Sequence, residues 1–142
     1  MRAVLDVNVI ISGLLSPLGN AAQLLKAWER GEFELIASAA LLDELARALD
    51  YPKLRRYISE QEAQRVLQWL TESATVVGDP AGPPPVRSND PGDDYLIALA
   101  ASRQAHLVSG DKHLLELGGQ IPVVEPALFL KTLIERQADT SA

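Results

Sequence analysis

Cysteine is absent from the 142 residues. That removes disulfides, thiolate metal sites and thiol nucleophiles together, and it suits a reducing cytoplasm. Long apolar runs are missing too. Charges interrupt every stretch that approaches the roughly 20 residues needed to span a bilayer. The opening MRAVLDVNVIISGLL briefly resembles a secretory leader, but Asp6 and Asn8 fall inside the would-be apolar region, which predicts a buried strand instead. Positive charge is scarce. With 13 Lys and Arg against 19 Asp and Glu, the net charge is −6 and the pI about 4.8. Proteins that wrap long nucleic acids usually carry the opposite sign, so extended phosphate binding is disfavoured. An enzyme that engages a few nucleotides through metal ions remains allowed. Neither His106 nor His113 has the spacing of a zinc site, and there is no internal repeat.

What is present is a core. Apolar residues make up 47% of the chain, enough for one domain to fold without staples. Runs of strand length alternate with segments of helical period. Strands are expected over 2–11, 33–37, 74–77, 106–109 and 121–124. Between them, Asn20 reads as the cap of a helix through Leu24, Leu25 and Trp28 that stops at Gly31, and Ser38 as the cap of a helix over 39–49. A short basic helix begins at Pro52. Ser59 and Glu62 form a capping box ahead of a helix carrying Val66, Leu67 and Leu70. The proline-rich 79–87 segment reads as a stiff loop. Asp90-Pro91 opens a helix to about 104, a short helix covers 111–117, and Pro126 starts the last one. The polar 137–142 segment is expected to be a disordered tail, leaving one domain over 1–136. Strict alternation predicts an α/β fold, with about five parallel strands and helices on both faces.

Four acids stand out because solubility does not explain them. Asp6 lies among Val4, Leu5, Val7 and Val9, where an ionised carboxylate is costly unless paired or bound to metal. Asn8, at period two, points to the same side of such a strand. Asp111 sits where the strand HLVSG should finish, a position equally suited to capping the next helix. Glu44 falls at the edge of the apolar face formed by Leu41, Leu42, Leu45 and Leu49, while Asp43 points away. In the segment NDPGDDYL, Asp90 is placed to cap a helix whose inward face holds Leu96, Ile97 and Ala100. Asp93 lies on that face, with Asp94 near its edge. Four inward carboxylates from separate elements would repel and hold protons unless a divalent cation sat among them. Oxygen-only ligands suit Mg²⁺ or Mn²⁺, and such sites hydrolyse phosphodiesters.

The order VLDVNVIISGLL, ELARAL, DPGDDYLIALA and LVSGDKHLL resembles the PIN-domain family, most closely its branch of toxin components from toxin–antitoxin systems. The resemblance covers nearly the whole chain. It implies a Rossmann-like three-layer α/β/α fold and a ribonuclease that cuts single-stranded RNA with divalent metal. It places the family's acids at Asp6, Glu44, Asp93 and Asp111, with Asn8 and Ser109 supporting them and Asp90 and Asp94 as neighbouring candidates. It also implies a homodimer, an antitoxin partner and a cytoplasmic location. Lys53, Arg55, Arg56 and Tyr57, the densest basic segment, and Lys112 are candidate RNA contacts, a solvated helix face being the alternative for the segment. Two other readings stay open: a phosphatase or phosphotransferase with Asp6 as nucleophile, although Asn8 stands where that chemistry commonly wants a second acid, and a non-catalytic regulatory module with an acidic pocket.

Overall fold

The computed structural model describes residues 1–141. Its first strand, β1 (Arg2–Leu5), is shorter than the expected 2–11 and is followed directly by helix α1 (Val7–Leu15). Asp6 is the pivot: its carboxylate accepts a hydrogen bond from the Asn8 N–H and caps the helix. A buried apolar run does not by itself distinguish strand from helix. The distinguishing mark here is that Asn8 and Ser12, four apart, are exposed while Val9, Ile10 and Ile11 between them are buried. Asn8 therefore belongs to a helix, and the strand-based placement of its side chain is corrected.

Helix α2 (Asn20–Glu29) starts one residue earlier than expected, so Asn20 is its first residue and Gly19 its cap. The chain leaves α2 through Gly31, whose φ of +77° lies in the region that glycine adopts without steric cost. Strand β2 (Glu34–Ser38) runs into α3 (Ala39–Leu49), where the Ser38 hydroxyl accepts from the Leu41 N–H as expected. After α4 (Pro52–Arg55), the Ser59–Glu62 capping box opens α5 (Glu60–Ser73), which leads into β3 (Thr75–Val77). The helix expected from Asp90 begins instead as a 3-10 turn, Pro91–Asp93, and becomes α6 at Asp94–Ser102. Strand β4 (His106–Val108), α7 (Lys112–Leu115) and β5 (Val123–Val124) complete the alternation. Helix α8 (Pro126–Ser141) continues through positions 137–141, where the sequence reads as a tail, because no helix breaker follows Pro126; position 142 lies outside the described residues.

All five strands are parallel, in the order β3-β2-β1-β4-β5, with helices flanking the sheet as a three-layer α/β/α domain. The core is continuous: Ala3, Val4 and Leu5 of β1 are fully buried, and Phe33 meets Phe129 of α8 edge-on at 5.4 Å. Trp28 of α2 packs on Trp69 of α5 at 4.8 Å. No single helix among the described residues is long and apolar enough to cross a membrane. Helices α1 and α2 have the length only together, and they meet at 98°.

The strand order places the site. From β1 the chain adds β2 and then β3 on one side, and then crosses to β4 on the other. Connections leave the sheet in opposite directions at this switch, which opens a crevice beyond the carboxyl ends of β1 and β4. Asp6 follows β1, and Ser109 and Asp111 follow β4.

Candidate active site

Asp6 is only 6% exposed and is held on both oxygens. Oδ2 accepts from the Ser109 hydroxyl at 2.7 Å, and Oδ1 accepts from the Asn8 N–H at 3.4 Å. The Asp6 N–H donates to the Val108 carbonyl at 2.9 Å, which extends the β1–β4 pairing to the acid itself. Burial raises the Asp6 pKa above the usual carboxylate range. The Ser109 and Asn8 hydrogen bonds oppose that rise, and the charges of Glu44 and Asp111 add to it.

Ser109, fully buried, joins the two strand ends. While its hydroxyl donates to Asp6, its oxygen accepts from the Asp111 N–H at 3.0 Å. Asp111 caps α7 by accepting from the His113 N–H at 2.8 Å. Its capping role and its place beside the other acids, separate alternatives in the sequence, hold together.

Asp93 and Asp94 have different surroundings. Asp94 accepts from the Ser88 N–H at 2.9 Å and pairs with Arg87 at 3.2 Å, so its carboxylate fastens the 79–87 loop to α6. Asp93 Oδ2 is buried and is one of three buried side-chain polar atoms without a partner among the described residues. Burial, then the charges of Asp6, Asp90 and Asp111, push Asp93 up to about 7. Asp90 caps the 3-10 turn through the Gly92 N–H at 3.0 Å and is otherwise exposed.

Glu44 comes from α3, half-buried, and its Oε2 accepts from the Tyr95 hydroxyl of α6. Tyr95 was not among the sequence candidates. Burial and the Glu44 carboxylate raise its pKa far above the ordinary phenol value, so it stays a donor. Asp43 is exposed, as the helical wheel requires.

Two clefts adjoin these acids, and Asn8 lines both. The first, of about 620 Å³, is walled by Asn8, Ser12, Asn20, Gly110, Asp111 and Glu125 among others. The second, of about 680 Å³, holds Asp43, Glu44, Arg47, Tyr51 and Tyr95. Lys53, Arg55, Arg56, Tyr57 and Lys112 line neither cleft. Arg55 is paired with Asp50 at 2.6 Å, Lys53, Arg56 and Lys112 are exposed, and Tyr57 is 70% exposed. Arg47 and Tyr51 take the position beside the acids that the sequence assigned to that segment. Arg47 follows Glu44 by one helical turn, a spacing that could have drawn notice. Glu125 follows β5 as Asp6 follows β1, which was the available signal for it.

No three acid or histidine side chains among the described residues converge on a common point at ligating distance. The donor chemistry nonetheless fits a hard cation. It consists of oxygens only, it includes one buried oxygen with no partner, and its members raise one another's proton affinity as a bound cation would relieve.

The family model of the PIN domain matches residues 2–113. The uncharacterized protein MJ1680 of Methanocaldococcus jannaschii is 30% identical over 119 residues, covering 82% of this chain and 75% of its own length. Among solved structures, VapBC2 from Rickettsia felis, bound to a DNA fragment from its promoter, is similar with a TM-score of 0.61. The match has 13% identity and covers 88% of this chain and 98% of that one. FitAcB from Neisseria gonorrhoeae is similar at 0.54, with 18% identity, covering 87% and 97%.

Proposed function

Because the chain belongs to the PIN domain family, we propose that it is a divalent-metal-dependent endoribonuclease that cleaves single-stranded RNA by attack of water on the phosphodiester. The observation that carries this reading is Asp93: a carboxylate with a buried, unpartnered oxygen, pushed up to about 7 beside Asp6 and Asp111. A half-buried carboxylate with one oxygen shut off from water and unpaired is costly as a structural element alone. Asp6, Asp93 and Asp111, with Glu44 from α3, would hold the ion. Bound Mg²⁺ or Mn²⁺ supplies charge neutralisation at the phosphate and a water of lowered pKa.

The chain's own residues do the rest. Ser109 and the Asn8 N–H orient Asp6 and satisfy both its oxygens. The His113 N–H orients Asp111, and the Tyr95 hydroxyl holds Glu44. Arg47 offers a cation to the RNA backbone at the rim of the second cleft, and Tyr51, 58% exposed beside it, a face on which a base can stack. An acidic chain with one such cation at the site suits a short footprint.

The reading includes a toxin role with a protein antitoxin as partner, a homodimeric assembly and a cytoplasmic location. These rest on the resemblance to toxin components. The test is cleavage of a panel of structured and unstructured RNAs in Mn²⁺ or Mg²⁺, with chelator and Asp93→Asn as controls. Metal-dependent cutting lost in the variant is expected; no cutting of any RNA sinks the nuclease. Induced expression separates the toxin role. Growth arrest relieved by Asp93→Asn supports it, and unaffected growth by an active nuclease removes it.

A further inference from the structure

The two clefts beside the acids differ in chemistry. The second carries Arg47 and the aromatic rings of Tyr51 and Tyr95. The first carries no Lys, Arg or His among its lining residues. Its polar groups are Asn8, Ser12 and Asn20, which are neutral, with Asp111 and Glu125. Helices α1, α2 and α8 all begin at this cleft, through Asn8, Asn20 and Pro126. The Asn8 backbone N–H is taken by Asp6 and Pro126 has none, so the donors are the side-chain amides of Asn8 and Asn20 and the Ser12 hydroxyl, while the carboxylates and amide carbonyls offer acceptors. A phosphate accepts only, and Glu125 and Asp111 would repel it. The edge of a base needs both donors and acceptors, and single-stranded RNA presents that edge. At about 620 Å³ the cleft has room for a nucleoside.

Resting on the nuclease reading above, we propose that the cleft formed by Asn8, Ser12, Asn20 and Glu125 is a base-reading subsite that takes guanine beside the scissile phosphate. Guanine is the base whose Watson–Crick edge sets two N–H groups, N1–H and N2–H, side by side, the match for the two oxygens of one carboxylate. Glu125 is exposed just after β5 and can receive them, and the side-chain amides of Asn8 and Asn20, which line the same cleft, can donate to guanine O6. Asp111 belongs to both this cleft and the acid group, so a base held here brings its own phosphate to the site.

The experiment uses Asp93→Asn protein in Mg²⁺ at fixed salt, binding short uridine oligonucleotides that carry one guanosine, inosine, adenosine or abasic position. Guanosine should bind about tenfold tighter than adenosine or the abasic site. Inosine, which lacks only the N2 amino group, should lose most of that preference. Glu125→Gln and Asn20→Ala, both exposed positions whose folding is checked by thermal melts, should bring the four oligonucleotides close together. Equal binding of all four by Asp93→Asn protein overturns the subsite, as does a preference that survives both substitutions. Equal binding of guanosine and abasic oligonucleotides would assign the cleft to the backbone instead. Cleavage by the unsubstituted protein separates the two readings. RNA cut with no base preference near the scissile bond defeats the subsite alone. Guanine-selective binding without cutting of any RNA defeats the nuclease alone.

Discussion

The neighbouring acids Asp93 and Asp94 show how much one residue decides. Asp93→Asn keeps shape and removes the charge that a cation would use; cleavage should fall at least about a hundredfold, or roughly 3 kcal/mol of barrier, in single-turnover assays. Asp94→Asn keeps an acceptor for the Ser88 N–H and weakens only the exposed Arg87 pair, so it should cost less than about tenfold. A larger loss from Asp94→Asn would mean that the ion sits elsewhere. Asp43→Asn, at an exposed position of α3, should change the rate less than about twofold. Tyr95→Phe removes the hydroxyl that positions Glu44. It should reduce the affinity for Mn²⁺ by about tenfold in calorimetric titration with little change in melting temperature. Unchanged metal affinity would reduce Tyr95 to packing. Asp93 also sets a pH dependence. In the metal-free fold its pKa is about 7 against an ordinary 3.8, so between those values the native state binds a proton that the unfolded chain does not. Its contribution to stability is therefore fullest below pH 3.8 and is lost as pH rises toward 7. Urea midpoints over that window should decline with pH more steeply for the unsubstituted protein than for Asp93→Asn. Equal slopes would contradict the shift.

At the scale of elements, the close approach of α1 and α2 depends on Gly13. A Cβ there would lie 2.7 Å from Leu25 Cδ1 and 3.1 Å from the Ala21 carbonyl oxygen, a backbone atom with little room to yield. Alanine gains up to about 1 kcal/mol of helix propensity over glycine. Overpacking costs about 1–3 kcal/mol, so Gly13→Ala should destabilise in chemical denaturation; a stabilised variant would show that the helices can part freely. This contact was invisible in the sequence, as was the break at Asp6, because the strand–helix junction lies inside one apolar run. Elements marked by local side-chain chemistry were legible: the Ser38 cap, the Ser59–Glu62 box and the stop at Gly31 all stand where their residues require. Helical phase on a single helix set Asp93 apart from Asp94, but Asp93 lies in the 3-10 turn ahead of α6, and what separates the two acids is their partners. At the site, acids out of place in apolar surroundings were legible one at a time. The links among them were not. Ser109 bridges two strand ends and Tyr95 reaches across to Glu44, and both relations exist only after the sheet has brought distant segments together.

For the whole molecule, an ion that binds only the native state should raise stability by mass action. Millimolar Mn²⁺ should raise the melting temperature by several degrees over chelator, about 2.7 kcal/mol being available at a hundred times Kd. The increase should shrink sharply in Asp93→Asn, and no shift in the unsubstituted protein would count against a site. The position of β1 also bears on how the acids come together and come apart. It is the middle strand of the sheet, and one of its edges is completed by residues 106–108, Ala3 pairing with His106. Asp6 follows β1 and Glu44 lies in α3, whereas Ser109 and Asp111 follow β4. Opening the β1–β4 pair alone would therefore part Asp6 from Ser109 and Asp111, so the site can be no longer-lived than that one seam.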